Sequence, residues 1–317
     1  MKGFFDICSM NEGLKNSPNV FVRNFQSSGI SLSIKREDLI HPEVSGNKFR
    51  KLKYNLIEAK NQNKNTLLSF GGAFSNHISA VAAAGKMLGF KTIGVIRGEE
   101  LGENLEKTFT ENPTLKFAAS CGMQFEFVSR SVYRDKHLPE FEEKLKGKFG
   151  DFYLLPEGGT NALAVKGCEE ILTDSDKEFD FICCSAGTGG TVSGIINSTL
   201  ETQKTLGFSA LKGDFLIPEI SKYTSKENWE LITEYHFGGY AKVSAELIFF
   251  INDFQKKFQI PLDPVYTGKM LFGIFDMIRK SLFPRNSRIL AIHTGGIQGI
   301  SGMNRLLLKK NLPLIDV

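Results

Sequence analysis

The chain has 317 residues, 41% of them hydrophobic and 23% charged. That is enough for about two domains of roughly 150 residues each without disulfide or metal staples, and it excludes a peptide scaffold or a wholly disordered chain. Thirty-nine Lys plus Arg against 35 Asp plus Glu leave a net charge of +4, too small and too evenly spread for nucleic acid as the main partner but compatible with a small anionic ligand.

The longest apolar runs, near residues 80–84 and 247–251, fall far short of the roughly 18 residues of a membrane span. Asp6 and a polar run interrupt the start before a signal-peptide core could form. A cytoplasmic protein with no membrane partner is expected.

Alternation predicts a strand over 30–36, and after the Ser45-Gly46-Asn47 turn Phe49, Leu52, Leu56 and Ala59 recur at helical spacing. A βαβ unit follows, with a strand at 66–70, a turn at 71–76, an Ala-rich helix at 78–88 and a strand at 92–96. Strands are predicted at 125–128 and 152–155, the second running into Pro156-Glu157-Gly158-Gly159 with a helix from near Thr160. A buried strand at 179–184 enters Ser185 to Thr191, the most glycine-dense loop of the chain, and a helix follows from about Val192.

Residues 221–239, polar, aromatic and poorly periodic, are expected to form a mobile loop near a site. Helices at 243–257 and 268–279, a strand at 288–293 and a final helix from Gly299 complete the pattern. It is that of an α/β protein with mostly parallel sheets. Five cysteines, Cys8, Cys121, Cys168, Cys183 and Cys184, form an odd set without metal-binding spacing and are expected to be reduced and mostly buried. Adjacent Cys183 and Cys184 should pack on opposite faces of their strand.

In open α/β sheets, ligands gather beyond the carboxyl ends of the strands, at helix N-termini. Five loops stand at such places: 45–48, 71–77, 157–161, 185–191 and 294–296. In the fourth, Ala186, Gly187, Thr188, Gly189, Gly190 and Thr191 offer backbone N–H groups and hydroxyls to a phosphate. Val192 stands where a dinucleotide fingerprint needs a third glycine, and no P-loop is present. A glycine-rich turn without a ligand is the alternative.

Lys48 lies at the start of a helix, where the positive dipole end should depress its pKa and favour Schiff-base chemistry. A solvated surface lysine is the bland alternative. Ser75 and Asn76 suit helix capping. His77 reads as a histidine held by hydrogen bonds beside the site rather than a proton shuttle, and Glu157 as a cap for the following helix.

The strings Lys35-Arg36-Glu37-Asp38-Leu39, Ser45 to Leu52, Gly71 to His77, Asp263 to Lys269 and His293-Thr294-Gly295-Gly296, together with the glycine-dense loop, resemble in order the motifs of the 1-aminocyclopropane-1-carboxylate (ACC) deaminase and D-cysteine desulfhydrase family. The resemblance spans nearly the whole chain. It implies pyridoxal 5′-phosphate as cofactor and the tryptophan-synthase-β-like fold of type II enzymes. The cofactor would lie between two α/β domains, a large one of residues 1–49 plus 156–317 and a small one of residues 50–155. It also implies a homodimer and a small amino acid as substrate.

By the same resemblance Lys48 carries the cofactor and moves a proton, Asn76 meets the phenolic oxygen, Ser75 meets the substrate carboxylate, and residues 186–191 hold the phosphate. Asn47 and Lys51 support them. Tyr266 resembles the active-site tyrosine and Tyr240 a second one, with an ordinary half-buried tyrosine the alternative for Tyr240. Thr267 would face the pyridine nitrogen, where ACC deaminases carry Glu. A neutral hydroxyl there makes a weaker electron sink than a carboxylate, which favours α,β-elimination of D-cysteine type over opening a cyclopropane. ACC deaminase activity is the second expectation, and a non-catalytic binding protein on the same scaffold the third. Phe74, where relatives commonly carry Gln, departs from both named activities.

Overall fold

In the computed structural model, which describes residues 17–316, the chain builds two sheets. The first contains β1 (Asn19–Phe25), β2 (Ile30–Lys35), β7 (Phe181–Ala186), β8 (Lys204–Ser209), β9 (Trp229–Ile232) and β10 (Arg288–Ile292) in the order β1-β2-β10-β7-β8-β9. The second contains β3 (Thr66–Gly72), β4 (Lys91–Arg97), β5 (Gln124–Val128) and β6 (Tyr153–Leu155) in the order β5-β4-β3-β6. Every pairing is parallel except β1 with β2. No helix among the described residues is long and apolar enough to cross a membrane.

The inner strands are buried on both faces, so their sequences read as continuous apolar runs rather than alternations. On β10, Ile289 and Ala291 join one hydrophobic cluster while Leu290 and Ile292 join the cluster on the opposite face. Cys183 and Cys184 divide in the same way. Leu67 and Leu68 do so on β3. Cys121 is only partly buried, and Cys8 lies outside the described residues.

Residues 221–239 correct the expectation of a continuous loop. Trp229–Ile232 form β9, hydrogen-bonded in parallel to β8. Only Ile232 of its four residues is buried, so this edge strand shows no hydrophobic period. β1 escapes sequence reading for the same reason, with Val22 its one buried residue. The helix expected near Thr160 begins at Ala162, because Asn161 accepts a hydrogen bond from Ala164 N and caps it.

Candidate active site

The Asn47–Asn61 helix begins at Gly46, whose φ of 62° and close approach to Thr294 exclude a side chain: a Cβ there would stand 2.0 Å from the Thr294 carbonyl oxygen. Asn47 N donates to that carbonyl, and Asn47 Nδ2 donates to Thr191 Oγ1 at 2.7 Å. Lys51 Nζ donates to the Gly158 carbonyl at 3.0 Å, to Thr160 Oγ1 at 3.0 Å and to Thr188 Oγ1 at 3.4 Å. The Asn76 amide lies over Gly296, the His77 ring over Gly159, and the Tyr266 ring over Gly187. Five loops separated in sequence thus close on one place around Lys48.

The Lys48 side chain makes no hydrogen bond among the described residues. Its amine is brought down to about 7, first by burial and then by the neighbouring Lys51 charge. Burial is the first cause, and it leaves near neutral pH the free amine that carbonyl chemistry requires.

Lys51 is 2% exposed, and its three acceptors are a carbonyl and two hydroxyls. A buried ammonium without a counter-anion is costly, and burial lowers its pKa. Beside it β7 ends at the buried Ala186, Gly187 follows, Gly189 takes a φ of 83°, and Gly190 and Thr191 open the Gly190–Ser198 helix. Thr188 is exposed, its hydroxyl sharing hydrogen bonds with Lys51 and Thr160, whereas buried Thr191 accepts from Asn47. An ammonium lacking its anion beside a glycine-rich helix start fits a phosphate. The orphaned, buried Asn76 Oδ1 adds an unmatched polar atom to the same space. Residues for both ends of pyridoxal phosphate, an amine for the aldehyde and a cradle for the anion, are present and adjacent.

Ser75 caps the Asn76–Leu88 helix, its Oγ accepting from Ile78 N at 3.3 Å and leaving the hydroxyl proton free for a ligand. Thr267 is fully buried. Its N–H and hydroxyl both donate to Asp263 Oδ2, at 2.9 and 2.6 Å, while Asp263 Oδ1 accepts from the N–H groups of Val265 and Tyr266. The hydroxyl proton is therefore already committed. The Tyr240 and Tyr266 rings meet edge to face at 6.3 Å, and burial raises both pKa values. Tyr240 is nonetheless 48% exposed overall.

Two expectations are corrected. His77 is not held by hydrogen bonds: neither ring nitrogen has a partner among the described residues. Glu157 does not cap the next helix but accepts from Tyr133 Oη at 2.9 Å and pairs with Lys136 at 3.2 Å, because Asn161 already satisfies that helix.

Sequence reasoning gave no role to Asp263, although Asp-Pro just before a helix start is a recognisable turn signal. It also passed over Lys269, whose buried ammonium donates to the carbonyls of His236 and Gly239 and so fixes the loop leading into Tyr240. Burial brings that amine to about 8.

Comparison with known proteins fits this geometry. A family profile described as "Pyridoxal-phosphate dependent enzyme" matches residues 10–295. The Arabidopsis thaliana protein named bifunctional D-cysteine desulfhydrase/1-aminocyclopropane-1-carboxylate deaminase, mitochondrial, is 30% identical over 300 residues, covering 86% of this chain and 74% of that one. The Rhizobium rhizogenes protein named 1-aminocyclopropane-1-carboxylate deaminase is 27% identical over 299 residues, covering 86% and 89%. A crystal structure described as an ACC deaminase homologue superposes with a TM-score of 0.78 at 28% identity, covering 96% of this chain and 98% of its own.

Proposed function

This chain belongs to the pyridoxal-phosphate-dependent enzyme family, and on that premise we propose that it is a lyase eliminating the β-substituent of a small amino acid. D-Cysteine is the type substrate: with one water it gives pyruvate, ammonia and hydrogen sulfide. The cofactor, when bound, supplies the sink for the electrons of the broken Cα–H bond. Lys48 Nζ is the amine that would hold it and the base that takes the Cα proton of the substrate. The Ser75 hydroxyl and the adjoining helix amides bind the substrate carboxylate. Tyr266 and Tyr240, kept protonated by burial, donate to the departing group.

The observation that carries elimination is Thr267, an uncharged side chain beside Tyr266 whose hydroxyl already donates to Asp263 at 2.6 Å. No carboxylate side chain stands at that position to deepen the sink, so the substrate must bring its own leaving group. A second reading, ACC opened to 2-oxobutanoate and ammonia, is favoured by the same Asp263 carboxylate lying directly behind Thr267. Phe74, 40% exposed with its ring against Gly302, gives the substrate loop an apolar side chain and suits a substrate with an apolar portion. The proposal includes a homodimer, in line with the resemblance, and a place in the cytoplasm; light scattering of the purified protein checks the dimer.

The test is formation of pyruvate from D-cysteine and of 2-oxobutanoate from ACC by the protein loaded with pyridoxal phosphate. Pyruvate formation abolished in Lys48→Ala is the expected result. Turnover of ACC with none of D-cysteine reverses the assignment, and a protein that takes up no cofactor and stays colourless is a binding protein instead.

A further inference from the structure

His77, second residue of the Asn76–Leu88 helix, is 2% exposed, and neither Nδ1 nor Nε2 has a hydrogen-bond partner among the described residues. Native interiors rarely leave such groups unpaired. The other two buried histidines follow the rule: His41 Nδ1 accepts from the N–H groups of Glu43 and Val44, and His293 bonds the Pro261 carbonyl through Nε2 and Gly295 N through Nδ1.

The ring occupies a place made for it. A Cβ on Gly159 would stand 2.7 Å from His77 Cε1, and Gly159 has a φ of 70°, so both space and backbone conformation call for glycine there. The adjacent Gly158 carbonyl receives Lys51, whose ammonium has no carboxylate partner among the described residues. Burial and the Lys48 and Lys51 charges hold the imidazole neutral, with one nitrogen a donor and the other an acceptor. The preceding residue, Asn76, carries the orphaned Oδ1. Two successive side chains therefore bring three unpaired polar atoms to the space around Lys48 and Lys51.

We propose that His77 is a ligand-binding residue of this site, its neutral imidazole donating a ring N–H to an oxygen of bound pyridoxal phosphate. The inference rests on the family reading above and adds to it a residue that the binding motif left without a role. That bond gives the buried imidazole the partner that native interiors rarely omit.

The test combines stability, affinity and spectroscopy. In His77→Leu the orphaned nitrogens disappear, so the cofactor-free protein melts at a higher temperature than wild type, while the dissociation constant for pyridoxal phosphate rises roughly tenfold to hundredfold, the loss expected for one hydrogen bond to a charged acceptor. His77→Gln, which keeps a donor, recovers part of the affinity. In wild-type protein, the nitrogen chemical shifts of the His77 imidazole move when pyridoxal phosphate is added, a readout that needs no variant to fold. Wild-type affinity in His77→Leu, or imidazole shifts unchanged by the cofactor, overturns the inference while leaving the family reading intact. A wild-type protein that binds no pyridoxal phosphate overturns both.

Discussion

Asp263→Asn tests the wiring beneath the tyrosine. The Asp263 carboxylate accepts four hydrogen bonds, from Val265 N at 2.9 Å, Tyr266 N at 2.8 Å, Thr267 N at 2.9 Å and Thr267 Oγ1 at 2.6 Å. An asparagine keeps one acceptor oxygen. If that oxygen serves Val265 and Tyr266, the amide NH2 faces the Thr267 N–H. The hydroxyl of Thr267 can turn and accept from the amide, but the backbone donor cannot. One stranded buried donor costs about 1–3 kcal/mol, and the surviving bonds lose their charge assistance.

The sum is about 3 kcal/mol, which for a chain of this length lowers the melting temperature by roughly 5 °C. A thermal melt of the cofactor-free protein measures it. Thr267→Val, which removes only the hydroxyl, costs less, and the double variant costs less than the two singles added because both act on one network. Asp263→Asn melting within a degree of wild type would refute the reasoning.

Three further outcomes follow from other parts of the molecule. Because the Lys48 amine sits at about 7, its acylation rate, followed by competitive labelling and mass spectrometry, should rise with pH up to about 7 and then level off, whereas an unperturbed lysine keeps rising towards its ordinary pKa near 10.5; continued increase through pH 9 contradicts the assigned burial. Lys35 and Asp176, 2% and 1% exposed and 2.8 Å apart, form a buried pair, so Lys35→Met leaves the Asp176 carboxylate its hydrogen bonds from Asn19 and Thr173 but no counter-charge, and costs about 3 kcal/mol in urea unfolding. Gly46→Ala places a methyl 2.0 Å from the Thr294 carbonyl oxygen and should abolish cofactor uptake by prising the Lys48 helix off that loop, an effect read by absorbance after incubation with pyridoxal phosphate.

Much of the architecture was legible because its signals are local. Apolar runs ended by glycine-rich turns marked β3, β4, β7 and β10, and Gly46-Asn47-Lys48 marked a helix start with a lysine on its first turn. The edge strands β1 and β9 were not legible, since each buries a single residue and is held by main-chain pairing that leaves no period in the side chains. β8 was missed although five of its six residues are buried. Its Lys204 start follows a polar turn, and Thr205, Gly207 and Ser209 dilute the apolar signal.

The sequence by itself determined which loops are rich in glycine and amide side chains and that a lysine stands in one of them. Only the tertiary structure decided the state of each polar atom there. Asn47 reaches Thr191, 144 positions away, and Lys51 reaches Thr188, 137 away. The Thr267 proton is committed to Asp263, and the His77 ring nitrogens have no partner among the described residues. A hydrogen bond or a shifted pKa depends on distance, orientation and exclusion of water, and across such separations these exist only once the chain has closed on itself.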